Sequence, residues 1–282
     1  MFWFTLSDIM IENPMFYTAF NSLLFIGFLF MLYKLTERLW YKFYNRSLFI
    51  HFYINKRKLE HADQKFISEH FKFYRELSSL RKTYFEHRLI KFMVAKEFIA
   101  REDFVFSREQ KLLISATAVM LTFGMRYYLI KIVDRIIVYP KEFYSNTSGE
   151  FHKGEFNPKL NAIVFSWKDF EQGFKIENDN LNLGIHEFTH AIHFNSLTET
   201  DYSSKIFKRS FAELTLFLSQ NETLRKELIA SAYFRDYAFT NQFEFLAVLI
   251  ENFIETPENF KSHFPNLYRK VKQLLKFNFA NY

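Results

Sequence analysis

No cysteine occurs in this 282-residue chain. Disulfides, thiolate metal ligands and a cysteine nucleophile are therefore excluded, and any metal site must use histidine and carboxylate side chains. Glycine and proline are also scarce, with six and five residues, whereas aromatic residues make up 21% of the sequence. Few helix breakers and many bulky apolar side chains predict a helix-rich, densely packed protein rather than a disordered one.

The formal net charge is only +6, and much of the positive charge follows an N-terminal apolar segment. A compact basic patch of the kind that binds nucleic acid is missing, so nucleic acid is not expected as a partner. Membrane, protein and peptide partners stay open on composition alone.

The apolar segment, residues 13–33, contains no charged side chain and is long enough to span a bilayer as a helix. No positive residue precedes it and no small-residue cleavage site follows it, which argues against a signal peptide. Asp8 and Glu12 lie before the segment, and four basic residues follow it: Lys34, Arg38, Lys42 and Arg46. The positive-inside rule therefore predicts a single-pass membrane protein with the N-terminus outside and the rest cytoplasmic.

A buried first helix of a soluble domain is the alternative, because Thr18, Asn21 and Ser22 lie inside the apolar segment. We expect residues 1–34 to form a tail and transmembrane helix, and residues 35–75 a mostly helical juxtamembrane connector. Residues 76–282 are expected to form the functional domain. The connector contains the basic residues Lys56, Arg57 and Lys58, which we interpret as solvated rather than bound to anionic lipid.

Apolar periodicity predicts helices over residues 77–99 and 108–123. Two β-rich segments, residues 134–140 and 161–167, predict strands, with a loop at residues 145–149 between them. The sequence therefore predicts an α+β fold that is mostly helical with a small β-sheet. The strand residues 164–166 are a candidate for pairing with an extended peptide.

Residues 181–193 contain the pattern H-E-x-x-H, formed by His186, Glu187 and His190. Residues four apart lie on one face of a helix, so the two imidazoles can bind one metal ion. A catalytic zinc makes its bound water acidic, and Glu187 is placed to accept that proton. Apolar residues form a separate stripe of the same helix, which favours a zinc-binding helix over an amphipathic helix with solvated histidines.

A catalytic zinc needs a third protein ligand. The long pattern H-E-x-x-H-x-x-G-x-x-H fails, because position 193 is His and position 196 is Ser. A later apolar segment, residues 240–254, is the alternative source, since Glu244, Glu251 and Glu255 share one narrow sector of its helical wheel. Carboxylates on so apolar a helix need partners such as a metal or a ligating histidine, although an exposed acidic stripe is the other interpretation.

Seven segments in this order make the chain similar to the Mlc titration factor A family of zinc-dependent peptidases. The matching segments are residues 98–121, 138–143, 163–167, 186–190, 237–241, 244–248 and 257–268. The resemblance implies a zincin-like metallopeptidase domain, one zinc per chain and peptidase activity of an aminopeptidase-like kind. It assigns His186, His190 and Glu244 as metal ligands and Glu187 as the catalytic carboxylate.

The sequence departs from the family pattern at three places. Thr189 stands where the family commonly has Ala, and His193-Phe194 replaces the usual Leu-Asp, which can alter substrate preference. The N-terminal apolar segment is an addition to the better-known soluble members. The family's glucose-repressor partner is not carried over, since no residue indicates such a surface.

The expected chemistry is hydrolysis of a peptide bond, with Glu187 as general base and then proton donor to the leaving amine. Tyr237 is the candidate donor to the oxyanion, although a core or surface role is open for it. Glu251 is a candidate partner that orients a ligand histidine, and His193 is interpreted as a rim residue. The alternative function is a membrane-tethered, zinc-containing binding module for a cytoplasmic regulator such as a transcription factor.

Overall fold

The computed structural model describes residues 14–145, 148–176, 178–280 and 282. The predicted tail with Asp8 and Glu12 lies outside the described residues, as do Asn146 and Thr147 of the predicted loop. Within the described part, helices predominate over a four-stranded sheet and a two-stranded sheet, so the predicted α+β class is confirmed.

The first helix, α1 (Pro14–Tyr44), is long and apolar enough to cross a membrane, by length and composition. It continues ten residues beyond the predicted end, because no helix breaker occurs before Asn45, which adopts a φ of +48°. Residues 49–282 form one compact unit, which includes much of the predicted connector. Within that connector, residues 49–59 are not helical, whereas helices occur before and after them.

The compact unit contains eleven further α-helices in the part of the chain that the structure describes. They are α2 (His61–His70), α3 (Lys72–Glu76), α4 (Ser79–Ala95), α5 (Arg108–Leu121), α6 (Trp167–Lys175), α7 (Leu183–Thr198), α8 (Tyr202–Gln220), α9 (Glu222–Ala230), α10 (Gln242–Glu255), α11 (Pro257–His263) and α12 (Pro265–Leu275). A short 3₁₀ helix, Asp236–Phe239, precedes α10. Ser107 and Gln110 form a reciprocal capping box at the start of α5.

The larger sheet has the order β1 (Glu97–Ala100), β2 (Arg135–Tyr139), β6 (Ala162–Ser166) and β5 (Gly154–Asn157). The first three strands are parallel, and β5 pairs antiparallel with β6 as an edge strand. A separate hairpin joins β3 (Phe143–Ser145) to β4 (Glu150–His152). The two predicted strands correspond to β2 and β6.

Two expectations about the strands are wrong. Phe98 belongs to β1 rather than to the helix predicted over residues 77–99, because residues 97–100 pair in parallel register with β2. Residues 164–166 cannot pair with a peptide, because β6 is hydrogen-bonded to β2 on one side and to β5 on the other. The edge available beside the H-E-x-x-H helix is β5 instead.

Helix α7, which carries the H-E-x-x-H residues, packs against α10, α5, α8 and β5. Its apolar residues Ile185, Phe188, Ala191 and Ile192 are buried in the main hydrophobic core. This packing fixes the helix on one side and leaves the histidine face directed toward α10.

Candidate metal centre

The two histidines of the H-E-x-x-H pattern lie on one face of α7, one helical turn apart. Their Nε2 atoms are 3.1 Å apart, and the ring planes are nearly perpendicular. His186 is buried and His190 is half-buried. The spacing of four residues therefore directs both Nε2 atoms to the same region of space, as the sequence pattern predicts.

Glu244 reaches the same region from the first turn of α10. Asn241 caps this helix, and its side chain accepts hydrogen bonds from the main-chain N–H groups of Phe243 and Glu244. Glu244 Oε2 lies 2.9 Å from His186 Nε2 and 3.4 Å from His190 Nε2. The three side chains thus offer one ligand atom each, all within 4.8 Å of one another.

These residues fit a tetrahedral metal ion. Metal–ligand bonds of about 2.0–2.2 Å place neighbouring ligand atoms roughly 3.3 Å apart, close to the observed spacing. Glu244 Oε2 is buried and makes no hydrogen bond, even though both imidazoles approach it. A carboxylate oxygen in that situation needs a cation, and two neutral nitrogens and one carboxylate form a set suited to zinc.

The electrostatics around the three residues favour positive charge. Burial alone would lower the pKa of His186, but the carboxylates of Glu244 and Glu251 outweigh burial and raise this pKa to about 10. Burial would raise the pKa of Glu244, but the neighbouring histidines hold it well below its usual range. The carboxylates that hold a proton on His186 would equally stabilise a divalent cation at Nε2.

Behind His186, a buried carboxylate that is paired with an arginine fixes the orientation of the imidazole ring. Glu251 is fully buried, and its Oε1 lies 2.6 Å from His186 Nδ1. Arg235 binds both oxygens of Glu251, at 2.7 and 2.8 Å, and also donates to the carbonyl oxygen of Asn180. With its proton on Nδ1 facing Glu251, His186 presents the Nε2 lone pair to the metal region.

Glu187 projects from α7 toward the edge strand β5. Its Oε2 accepts a hydrogen bond of 2.8 Å from the main-chain N–H of Phe156. Burial raises the pKa of Glu187, against the opposing effect of His186 and His190. Gly154 keeps this approach open, because a Cβ there would lie 2.9 Å from Glu187 Oε1 and 2.6 Å from Leu183 Cδ1.

A cleft of about 490 Å³ adjoins these groups. Residues of β4, β5, α7 and the 3₁₀ helix line it, among them Phe151, Gly154, Leu183, Glu187 and Tyr237. Tyr237 is half exposed, and its ring centroid lies 5.9 Å from that of His186. Burial, together with Glu244, raises the pKa of Tyr237 to about 12, so its hydroxyl keeps its proton at neutral pH.

The geometry agrees with the comparison to known proteins. The family model described as glucose-regulated metallo-peptidase M90 matches residues 44–276. The chain belongs to this family. The resemblance to Mlc titration factor A is thereby confirmed, and a metallopeptidase-type function with a bound metal follows from membership.

An uncharacterized protein of the cyanobacterium Synechocystis is 25% identical over 232 residues. The matched region covers 74% of this M90 chain and 82% of that protein. The similarity therefore extends well beyond the H-E-x-x-H helix.

One site expectation is wrong. His193 is buried among the rings of Phe207, Phe211 and Phe243, so it is not a rim residue. Burial, and then the charge of His190, lowers its pKa to about 4, which keeps the imidazole neutral. His193 therefore packs behind the metal region.

Sequence reasoning did not find Arg235 or the main-chain contact of Phe156. A usable signal existed for Arg235, because it is the single Arg or Lys between Lys226 and Lys261, and the buried carboxylates of α10 need a cation. No side-chain pattern reveals that the N–H of Phe156 holds Glu187, because this contact depends on how β5 packs against α7.

Proposed function

We propose that this M90 protein is a zinc-dependent peptidase, aminopeptidase-like, that hydrolyses peptide bonds in the cleft beside α7. The observation that carries the proposal is the convergence of three ligand atoms from His186, His190 and Glu244. Glu187 lies next to them, buried and open to the cleft. Convergence of this kind on an otherwise apolar pair of helices is expected of a metal centre rather than of a structural ion pair.

Zinc, when bound by His186, His190 and Glu244, supplies Lewis acidity that makes water acidic and polarises the substrate carbonyl. Glu187 accepts the proton that the attacking water loses and delivers it to the leaving amine nitrogen. Its raised pKa suits both steps, and the N–H of Phe156 holds the carboxylate in place. The protonated hydroxyl of Tyr237 donates a hydrogen bond to the oxyanion.

Glu251 and Arg235 act through His186 rather than on the substrate. Glu251 orients the imidazole, and Arg235 neutralises the buried carboxylate with two hydrogen bonds. The edge strand β5 offers main-chain groups beside Glu187, where an extended peptide can add to the sheet. A peptide aligned there would lie across the cleft next to the proposed zinc ligands.

We further propose that α1 anchors the enzyme in a membrane, with the N-terminus outside and the catalytic unit, which is the compact unit of residues 49–282, in the cytoplasm. The length and apolar composition of α1 support this proposal. The basic residues Lys34, Arg38, Lys42 and Arg46 follow the apolar segment, as the positive-inside rule requires of a cytoplasmic flank.

Replacement of Glu187 tests the catalytic assignment. In the full-length protein, Glu187→Gln is expected to lower kcat for a peptide substrate by roughly 10²–10⁴-fold, because the amide cannot accept the proton. Zinc content, measured by mass spectrometry on the same sample, is expected to stay at the wild-type value. Undiminished turnover in this variant would contradict the assignment, and a zinc-loaded wild type without peptidase activity would favour the regulatory binding module.

A further inference from the structure

An extended segment, residues 50–59 (the strap), is held on the catalytic unit by three consecutive side chains of α4. Each of Glu86, His87 and Arg88 is buried. Each binds the strap directly, through the contacts Glu86 Oε2 to Leu59 N at 3.1 Å, His87 Nδ1 to Arg57 N at 3.0 Å, and Arg88 Nη2 to Ile50 O at 3.0 Å. Buried ionisable groups are costly unless they are hydrogen-bonded, so the strap is fixed rather than loose.

The strap alternates between an inner and an outer face, as an extended chain does. The ring of His51 stacks on Tyr84 with centroids 4.7 Å apart, and the hydroxyl of Tyr53 accepts a hydrogen bond from Arg88 Nε. The residues between and after them point outward. Phe52 is 69% exposed and Ile54 is 87% exposed.

Positive charge follows these two apolar side chains directly. Lys56, Arg57 and Lys58 are all exposed. Large apolar side chains beside lysines are typical of protein segments that lie in the interface of a bilayer, where acyl chains meet charged headgroups. The two features together favour an anionic lipid surface over bulk water.

Chain connectivity keeps the strap within reach of a bilayer whenever α1 crosses one. Helix α1 ends at Tyr44, eight residues before Phe52. Eight extended residues span at most about 28 Å, so the strap cannot lie far from the end of the helix.

We propose that the strap docks the catalytic unit onto the anionic leaflet of the membrane that α1 crosses. Phe52 and Ile54 insert at the boundary between headgroups and acyl chains, and Lys56 and Lys58 bind the anionic headgroups. This inference rests on the proposed membrane anchor, and it differs from the interpretation of Lys56, Arg57 and Lys58 as solvated.

The absence of cysteine permits a direct test with a single label. Full-length Ile54→Cys is labelled with an environment-sensitive fluorophore and reconstituted into vesicles of phosphatidylcholine alone or with phosphatidylserine. We expect a blue-shifted emission in the anionic vesicles that reverts at high salt, because salt screens the lysine–lipid attraction. The matched control is Ile229→Cys, an exposed isoleucine of α9, whose label should stay in water throughout.

A second substitution tests the role of charge. Lys58→Gln, added to the labelled protein, is expected to lower the docked-to-undocked ratio about fivefold in anionic vesicles. Protein that floats with the vesicles while the label at position 54 matches the label at position 229 would overturn the docking proposal alone. Protein that does not float with any vesicle would overturn the membrane anchor and the docking proposal together. Both of these outcomes leave the peptidase proposal standing, because zinc binding and turnover are measured separately.

Discussion

The catalytic unit contains two clusters of buried ionisable side chains, one on α4 and one between α7 and α10, and their hydrogen bonding differs. On α4, the oxygens of Glu86 accept hydrogen bonds from Leu59 N, Gln64 Nε2 and Tyr74 Oη, so this carboxylate is satisfied by the protein alone. Between α7 and α10, Glu244 Oε2 is buried without a hydrogen bond, although two imidazoles approach it.

The difference separates a structural cluster from a ligand site. Groups that bind main-chain atoms fix one segment against another and need nothing further. Groups that converge on a point and leave an acceptor unpaired are stable only when a cation completes them. On this reasoning, substitutions in the α4 cluster (Glu86, His87 and Arg88) should lower stability without changing zinc affinity, whereas substitutions between α7 and α10 should lower zinc affinity.

The largest expected effect is a loss of stability after substitution in the α4 cluster. Arg88→Met removes a fully buried cation that donates to Ile50 O, Thr122 O and Phe123 O. Thr122 O keeps a hydrogen bond from Met125 N, but the carbonyl groups of Ile50 and Phe123 lose the donor that Arg88 supplies. We expect the free energy of unfolding to fall by about 3–5 kcal/mol, measured by urea denaturation. The zinc stoichiometry of the protein that remains folded should be unchanged.

The matched control is Arg225→Met. Arg225 also donates to two carbonyl groups, those of Leu218 and Ser219, but these hydrogen bonds are exposed. Its loss should cost less than about 1 kcal/mol. Equal destabilisation by Arg88→Met and Arg225→Met would contradict the structural role of the α4 cluster, because the buried hydrogen bonds of Arg88 would then contribute no more stability than exposed ones.

The second-largest expected effect is a loss of zinc affinity after substitution between α7 and α10. Glu251→Gln keeps the shape of the side chain but removes the charge that orients His186 and pairs with Arg235. Zinc affinity, measured by competition with a chelator, should fall roughly 10–100-fold. Glu86→Gln is the matched variant, since it also neutralises a buried carboxylate, and it should leave zinc affinity at the wild-type value.

The smallest of these effects concerns Gly154. A methyl group there meets flexible side-chain atoms of Leu183 and Glu187, so Gly154→Ala should displace the Glu187 carboxylate at little cost in stability. We expect kcat to fall about tenfold with zinc content unchanged, because a small misplacement of a catalytic group is costly. A fall in zinc content instead of kcat would show that β5 supports the ligands rather than the base.

The site was predictable where it depended on local spacing. His186 and His190 are four residues apart on one helix, so their convergence follows from helical geometry alone. Glu244 required a resemblance to known peptidases, because three carboxylates of α10 share one sector of the helical wheel. The structure separates them by partner: Glu244 faces the imidazoles, Glu251 binds Arg235, and Glu255 accepts a hydrogen bond from Asn182.

The fold was predictable where segments were long and periodic. Helix α5 and strands β2 and β6 have strong local patterns, and they occur close to the predicted positions. Strands β1, β3, β4 and β5 have only three or four residues each, and pairing with distant strands decides their conformation. The hydrogen bond from the main-chain N–H of Phe156, on β5, to Glu187 could therefore be identified only from the three-dimensional structure.

The most direct test of the account is the zinc content of the purified full-length protein, measured by mass spectrometry beside Glu244→Ala and Glu255→Gln. We predict about one zinc per chain in the wild type and in Glu255→Gln, and loss of the ion in Glu244→Ala. A folded wild type that takes up no zinc when zinc is added, or a Glu244→Ala variant that retains it fully, would contradict the three-ligand centre.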